Sequence, residues 1–315
     1  MAKAAGSWLF LAGLGGLGLL AQLACETAQD TGAEIVSDAL GGLLAAVGPD
    51  VVLPMLEDFH LAGGQLNTQL AALDQAYEGQ DAASALAAAQ DQYVQTMSLW
   101  QQLEVLQIGP AGSSLYAIGG EDLRDEIYSY PNVNRCRSDQ ETLEQDWNNA
   151  DYFSTNLANS YGLDTVEYLL YGPDALACPS QVGLDSQWDA LSAGELGQQR
   201  AQFALAVSEH ALVQSGEIES AWTSEFSQAI VDGAAPYESK QEAFNAVFDA
   251  MFYLEKETKD RKLGAAIESG SFESPESGHS ALWIHNNVLG FERLFFMGEL
   301  SGFDVVLDEL GHGDL

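Results

Sequence analysis

Ser160-Tyr161-Gly162-Leu163-Asp164-Thr165-Val166-Glu167-Tyr168-Leu169-Leu170-Tyr171-Gly172 is the stretch on which the reading of this chain turns. Its apolar residues Leu163, Val166, Leu169 and Leu170 recur at three- and four-residue steps, the spacing of one buried helix face. Asp164 and Glu167 stand three apart, so on a helix their carboxylates occupy neighbouring turns. Like charges at that separation repel unless a cation, an arginine or a shared proton lies between them. Gly172-Pro173 closes the pattern, because proline cannot continue a helix and disfavours a helical residue before it.

Outward from this stretch the helical period recurs. Ile35 to Val47, Pro54 to Tyr77, Asp81 to Gln107 and Glu141 to Tyr171 read as helices in the first half. Trp188 to Gln214, Glu217 to Val231, Pro236 to Ile267 and Ser280 to Met297 read so in the second. Residues 110–140 and 268–278 read as loops, rich in glycine and carrying Pro131 and Pro275. No segment shows a convincing strand pattern, so the expected fold class is all-α. Two long helices end in matching aromatic runs before a glycine, Tyr168-Leu169-Leu170-Tyr171-Gly172 and Leu294-Phe295-Phe296-Met297-Gly298. With the connection Gly172 to Gly183 between them, this echo predicts two packed helical bundles, residues 34–180 and 181–315.

Composition narrows the function. The 315 residues include 11 Lys+Arg against 47 Asp+Glu, a net charge of −36, with hydrophobic content of 47%, enough for a real core. Such a surface repels nucleic acid and anionic lipid and favours cations or basic partners, and it equally suits a salty or extracellular setting. Nucleic acid is therefore excluded as a partner. The cluster Lys256, Lys259, Arg261 and Lys262 reads as one solvated helix face. Neither a Gly-x-Ser-x-Gly elbow nor a glycine-rich phosphate loop after a strand occurs.

Residues 1–25 read as an export signal: Lys3 supplies a positive start, and Trp8 to Leu20 is an apolar run short for a membrane span. Gln22-Leu23-Ala24-Cys25 resembles a bacterial lipobox, with Gln22 where leucine is usual, which makes Cys25 the candidate lipidated residue. Residues 26–33 then form a tether. The expected location is outside the cytoplasm, as a periplasm-facing or cell-surface lipoprotein anchored to the membrane through Cys25, or as a soluble secreted protein if cleavage is ordinary. Cys136 and Cys178 remain as an even pair in an oxidising compartment. A disulfide is expected between them, two buried thiols being the alternative.

The stretch from Gly162 to Gly172 resembles the signature helix of the imelysin family, Gly-x-His-x-x-Glu followed by an aromatic-leucine run. Trp100-Gln101-Gln102-Leu103-Glu104 before Gly109-Pro110 and Arg124-Asp125-Glu126-Ile127-Tyr128-Ser129-Tyr130-Pro131 are similar to further family segments. So are Lys259-Asp260-Arg261-Lys262-Leu263, Glu273-Ser274-Pro275-Glu276-Ser277 and Asn286-Asn287-Val288-Leu289-Gly290, and the likeness spans roughly residues 34–300. The resemblance implies an exported protein of two helical bundles with a groove between them, associated with bacterial iron uptake and first described as a metallopeptidase family. One position departs: Asp164 stands where the family has histidine, while Glu167 is retained.

The candidate metal ligands are Asp164 and Glu167, supported by Glu104 and Glu292, each of which sits in an otherwise apolar stretch. Carboxylates suit a hard cation, iron among them, better than zinc. The five histidines, His60, His210, His279, His285 and His312, are scattered and form no zinc-peptidase motif, although His285 is placed to line a groove. The expected function is an imelysin-like binding protein for a metal ion or metal-bearing ligand. A metal-dependent peptidase is one alternative. The other is a structural or interaction lipoprotein whose carboxylates are neutralised by arginines such as Arg124, Arg135, Arg137, Arg200 and Arg293.

Overall fold

A computed structural model of the chain describes residues 38–79, 81–131, 133–298 and 301–314. The expected signal segment, Cys25 and the tether lie outside the described residues. Among those that are described, every regular element is helical. The principal helices are α1 (Asp38–Ala46), α2 (Leu53–Tyr77), α3 (Ala82–Leu103), α4 (Leu123–Ile127) and α5 (Arg135–Glu144). They are followed by α6 (Leu163–Tyr171), α7 (Ala193–Ala221), α8 (Lys240–Ala250), α9 (Ser280–Phe296) and α10 (Phe303–Glu309). Leu254–Gly264, between α8 and α9, is wound as a π-helix.

The long helices bury the faces that their periodicity marks. In α2, Phe59, Leu66, Leu70 and Leu73 are inside, and in α3, Tyr93, Met97 and Trp100. Helix α2 packs against both α3 and α7, and α3 in turn packs against α9. Helix α7 also covers α6. One cluster of buried apolar side chains therefore runs through both halves, from Leu40 to Leu307. The α3–α9 approach is close because Gly290 has no side chain: a Cβ there would meet the Gln102 backbone, including its Cα at 2.8 Å.

The connection after α6 is tied down from three sides. Cys136 at the start of α5 and Cys178 form the expected disulfide. Buried Asp139 accepts hydrogen bonds from the Tyr168 hydroxyl at 3.0 Å and the Ala177 amide at 2.7 Å. The Arg200 guanidinium donates to the Pro173 carbonyl at 2.7 Å while lying over the Tyr168 and Trp188 rings.

Several expected boundaries change, each for a local reason. Glu141 to Tyr171 is not one helix: α5 stops at Glu144, Gln145 takes a left-handed φ of 57°, and α6 begins only at Leu163. The intervening Asp146, Asn148, Asn149, Asp151, Asn156 and Asn159 have side chains that compete for backbone groups and favour turns. Trp188 to Gln214 and Glu217 to Val231 are not separate, because α7 runs through Gly216 to Ala221. A single interior glycine costs a helix about 1 kcal/mol, which packing readily offsets. This helix starts at Ala193, where Ser192 and Glu195 form a reciprocal capping box. Pro236 to Ile267 is broken too, with α8 starting after the Ser239 cap and giving way to the π segment. Residues 110–140, expected as loop, hold α4 and the start of α5.

Candidate functional site

The site is built around the first turn of α6. Gly162 precedes it with a φ of +113°, a conformation that favours glycine, and a Cβ there would come 2.8 Å from Asp164 Oδ1. This turn places Asp164 under the backbone of residues 127–129. The Ser129 hydroxyl donates to Asp164 Oδ2 at 2.9 Å, and the Thr165 amide lies 3.0 Å from Oδ1. Burial pushes the Asp164 carboxyl up to about 7, against the pull of those two donors.

One turn on, Glu167 is held by a different segment. Its Oε2 accepts from the Ser274 hydroxyl at 2.8 Å and its Oε1 from the Ser277 amide at 2.9 Å. Burial raises this carboxyl as well, opposed by the serine hydrogen bonds. Ser274 is pinned further, since its hydroxyl accepts from the Trp283 indole and its amide donates to Ser280 Oγ at 2.9 Å. Glu167 thus fastens the loop between the π segment and α9.

The same loop carries Glu273 into a charged cluster. Lys262 Nζ, fully buried, lies 2.7 Å from Gln101 Oε1, 2.8 Å from Glu104 Oε2, 2.9 Å from Glu273 Oε1 and 3.1 Å from Asn287 Oδ1. Glu104 also receives Arg124. Burial alone would raise the Glu104 carboxyl, but Lys262 and Arg124 outweigh it and hold the group at about 2. Glu273 Oε1 accepts from Gln101 Nε2 at 3.0 Å and from the Tyr128 hydroxyl at 2.8 Å. Its other oxygen, Oε2, is buried with no hydrogen-bond partner. Burial raises this carboxyl despite Lys262.

Above Glu273 a groove of about 780 Å³ opens between two parts of the chain. Tyr130, Asn134, Arg135 and Asn159 form one wall, and Arg261, Phe272 and Glu273 belong to the other side. The two walls come from residues 130–159 and 261–275, so the groove exists only in the folded chain.

The four expected ligands do not converge. Asp164 and Glu167 share a helix, but each is engaged by its own serine. Glu104 is neutralised by Lys262 and Arg124, and Glu292 is exposed on α9. The arginines expected to neutralise Asp164 and Glu167 are elsewhere: Arg124 on Glu104, Arg137 on Glu141 and Glu144, Arg200 near Asp139, and Arg293 near Asp58. Arg135 pairs with Glu276. His285 is exposed and lies outside the groove's lining. Among the described residues, the ligand-type side chains close enough to share one ion are Glu141, Glu144 and Asp146, where Arg137 already pairs with the first two.

Lys262, expected on a solvated face, is buried instead. In a π-helix the i→i+5 bonding turns each residue through a smaller angle than in an α-helix, so the α-helical wheel misplaces side chains along this segment. Glu273, Ser129 and Ser274 stand in segments that resemble the family, but as loop residues their types carry no sign of a role in the site. Asn286-Asn287 within an apolar helix, and Gln101 beside Trp100, were the visible signals of a buried polar network.

The family model described as imelysin matches residues 52–310. An imelysin-like protein from Psychrobacter arcticum 273-4 has a similar fold, with TM-score 0.63 and 18% identity, over 89% of this chain and 80% of that one. A protein from Parabacteroides distasonis ATCC 8503, described as an iron-regulated protein A precursor, gives TM-score 0.63 and 16% identity, over 88% and 81%. No curated protein matches the sequence.

Two outcomes follow from the buried charges. Lys262→Met leaves Glu104 and Glu273 without their shared cation and should cost about 3–5 kcal/mol in urea denaturation, with part regained on adding Glu273→Gln. A loss within error of zero would mean that Lys262 is not the keystone. The second concerns pH. Asp164 titrates near 3.8 when unfolded and about 7 when folded, so the folded state holds the proton more tightly. Its contribution is complete below the unfolded value and is lost as pH rises through about 7. Unfolding temperature should therefore rise as pH falls from about 8 to about 5, and Asp164→Asn should flatten that slope. An unchanged slope would assign the dependence to other groups.

Proposed function

Because the chain belongs to the imelysin family, we propose that it is an exported binding protein that takes a metal ion or metal-bearing ligand in the groove above Glu273. The observation that carries this reading is the Glu273 carboxylate, which contributes to the groove's lining while one of its oxygens, Oε2, has no hydrogen-bond partner. A buried carboxylate oxygen without a partner is costly, and a hard cation or a donor on the ligand would satisfy it. A structure of similar fold is described as an iron-regulated protein A precursor, which makes iron the first cation to test.

Asp164 and Glu167 enter this reading indirectly. Two carboxylates, each already hydrogen-bonded and joined by no third ligand among the described residues, are a poor resident metal site. Glu167 instead holds Ser274 and Ser277, which set the position of Glu273 one residue away. Peptidase chemistry of the zinc type has no support in the histidines. His60 contacts Ser215 and Glu219, His210 stacks on Phe153, and His279 lies against Trp283. None joins a group of three ligands among the described residues.

Export is supported by Lys3, the apolar run Trp8 to Leu20 and the disulfide, which fits an oxidising compartment. Anchoring to a bacterial envelope membrane through Cys25 completes the proposal.

Binding is tested by thermal unfolding with ferric citrate, manganese, calcium and zinc. A hard cation or its complex at a hundredfold excess over its dissociation constant should add about 2.7 kcal/mol. Glu273→Gln should remove most of that gain and Glu167→Gln part of it. No stabilisation by any of the four ends the binding reading, and chelator-sensitive cleavage of a protein substrate would restore the peptidase. For the anchor, Cys25→Ser should move the protein from the membrane to the soluble fraction of the producing cell. A wild-type protein already found wholly in the soluble fraction excludes lipidation.

A further inference from the structure

The net charge of −36 attracts any cation, yet the groove is walled by guanidinium groups. Arg135 and Arg261, two of the chain's six arginines, both line it. Arg135 makes an ion pair with Glu276 at 2.7 Å and Arg261 with Glu257 at 2.9 Å. Both side chains are about half exposed, at 42% and 51%. Each of these contacts uses one nitrogen of a group that carries five N–H donors in a fork matched to carboxylates.

Helix α5 adds to the same tendency. Asn134 caps it and Arg135 is its first residue, and both line the groove. The free amides and dipole at a helix N-terminus favour an anion. A bare cation gains nothing from two arginines and a helix N-terminus. An anion needs them, because the rest of the surface repels it.

On the reading that this groove binds a metal-bearing ligand, we infer that the cargo is an anionic chelate, a hard cation wrapped by a hydroxycarboxylate, and not the free ion. Arg135 and Arg261 take the chelate's outer carboxylates. Glu273, on the same side of the lining as Arg261, meets the cation or a chelator hydroxyl. A volume of about 780 Å³ suits such a complex, within the roughly 300–1,000 Å³ usual for small-molecule sites.

Isothermal titration of the purified protein with ferric citrate, citrate alone and manganese(II) chloride tests this. Ferric citrate should bind, more weakly as salt rises, and the pair Arg135→Ala with Arg261→Ala should weaken it at least about tenfold, as expected on losing charge-assisted pairs. Arg135→Lys with Arg261→Lys should restore only part, since an ammonium does not reproduce the fork. Circular dichroism of these surface variants should match the wild type. Ferric citrate binding that is indifferent to both arginines overturns the inference. So does citrate alone binding as tightly as the ferric complex, which would make the site one for the free anion. Manganese binding without ferric citrate binding keeps a metal-binding function and overturns the chelate. Binding of none of the three removes the binding function itself and the inference with it.

Discussion

An ammonium group cannot be taken out of water unless its surroundings replace the water, and Lys262 is completely enclosed. Its four oxygen neighbours come from Gln101 and Glu104 at the end of α3, from Glu273 in the loop, and from Asn287 in α9. The Tyr130 and Tyr253 rings close over it. The position of every one of these elements is therefore constrained by one charge. Gln101 is the hub, since its side chain bonds Lys262, Glu273 and Asn287 together. Such a network is not a source of large net stability, but leaving any one member unpaired is expensive, which makes the arrangement specific.

The groove follows from this constraint. The loop from Ser271 to His279 runs over α6 and is fixed at Glu273 by Lys262, at Ser274 and Ser277 by Glu167, and at Glu276 by Arg135. What remains between it and residues 130–159 is an open space with arginines on its walls. Asp164 and Glu167, which look like ligands in isolation, work as anchors for the backbone on either side of that space. The buried Asp164 carboxyl accepts from Ser129 and, when protonated, needs no counter-ion.

The all-α class, the core faces of α2 and α3, the signature helix and the disulfide were all legible in the chain, because each depends on neighbours within a few residues or on compartment chemistry. Boundaries were less legible. The Asn- and Asp-rich run after α5 breaks a helix that apolar spacing alone would continue, and Gly216 fails to break one. In both cases the outcome depends on competition between side chains and packing that the period does not record.

The amino-acid sequence by itself determined that the chain forms helices with one apolar face each, and which residues occupy those faces, since helical spacing is a local property. Tertiary structure alone decided which carboxylates meet the buried Lys262. Glu104 and Lys262 are far apart in the chain, and Lys262 reaches Glu104 through a π-helical turn that shifts its face. Glu273 reaches the same lysine only because Glu167 holds the next residue of its loop. Long-range pairing of charges is set by how helices stack, and residue types give no direction for it until the helices have met.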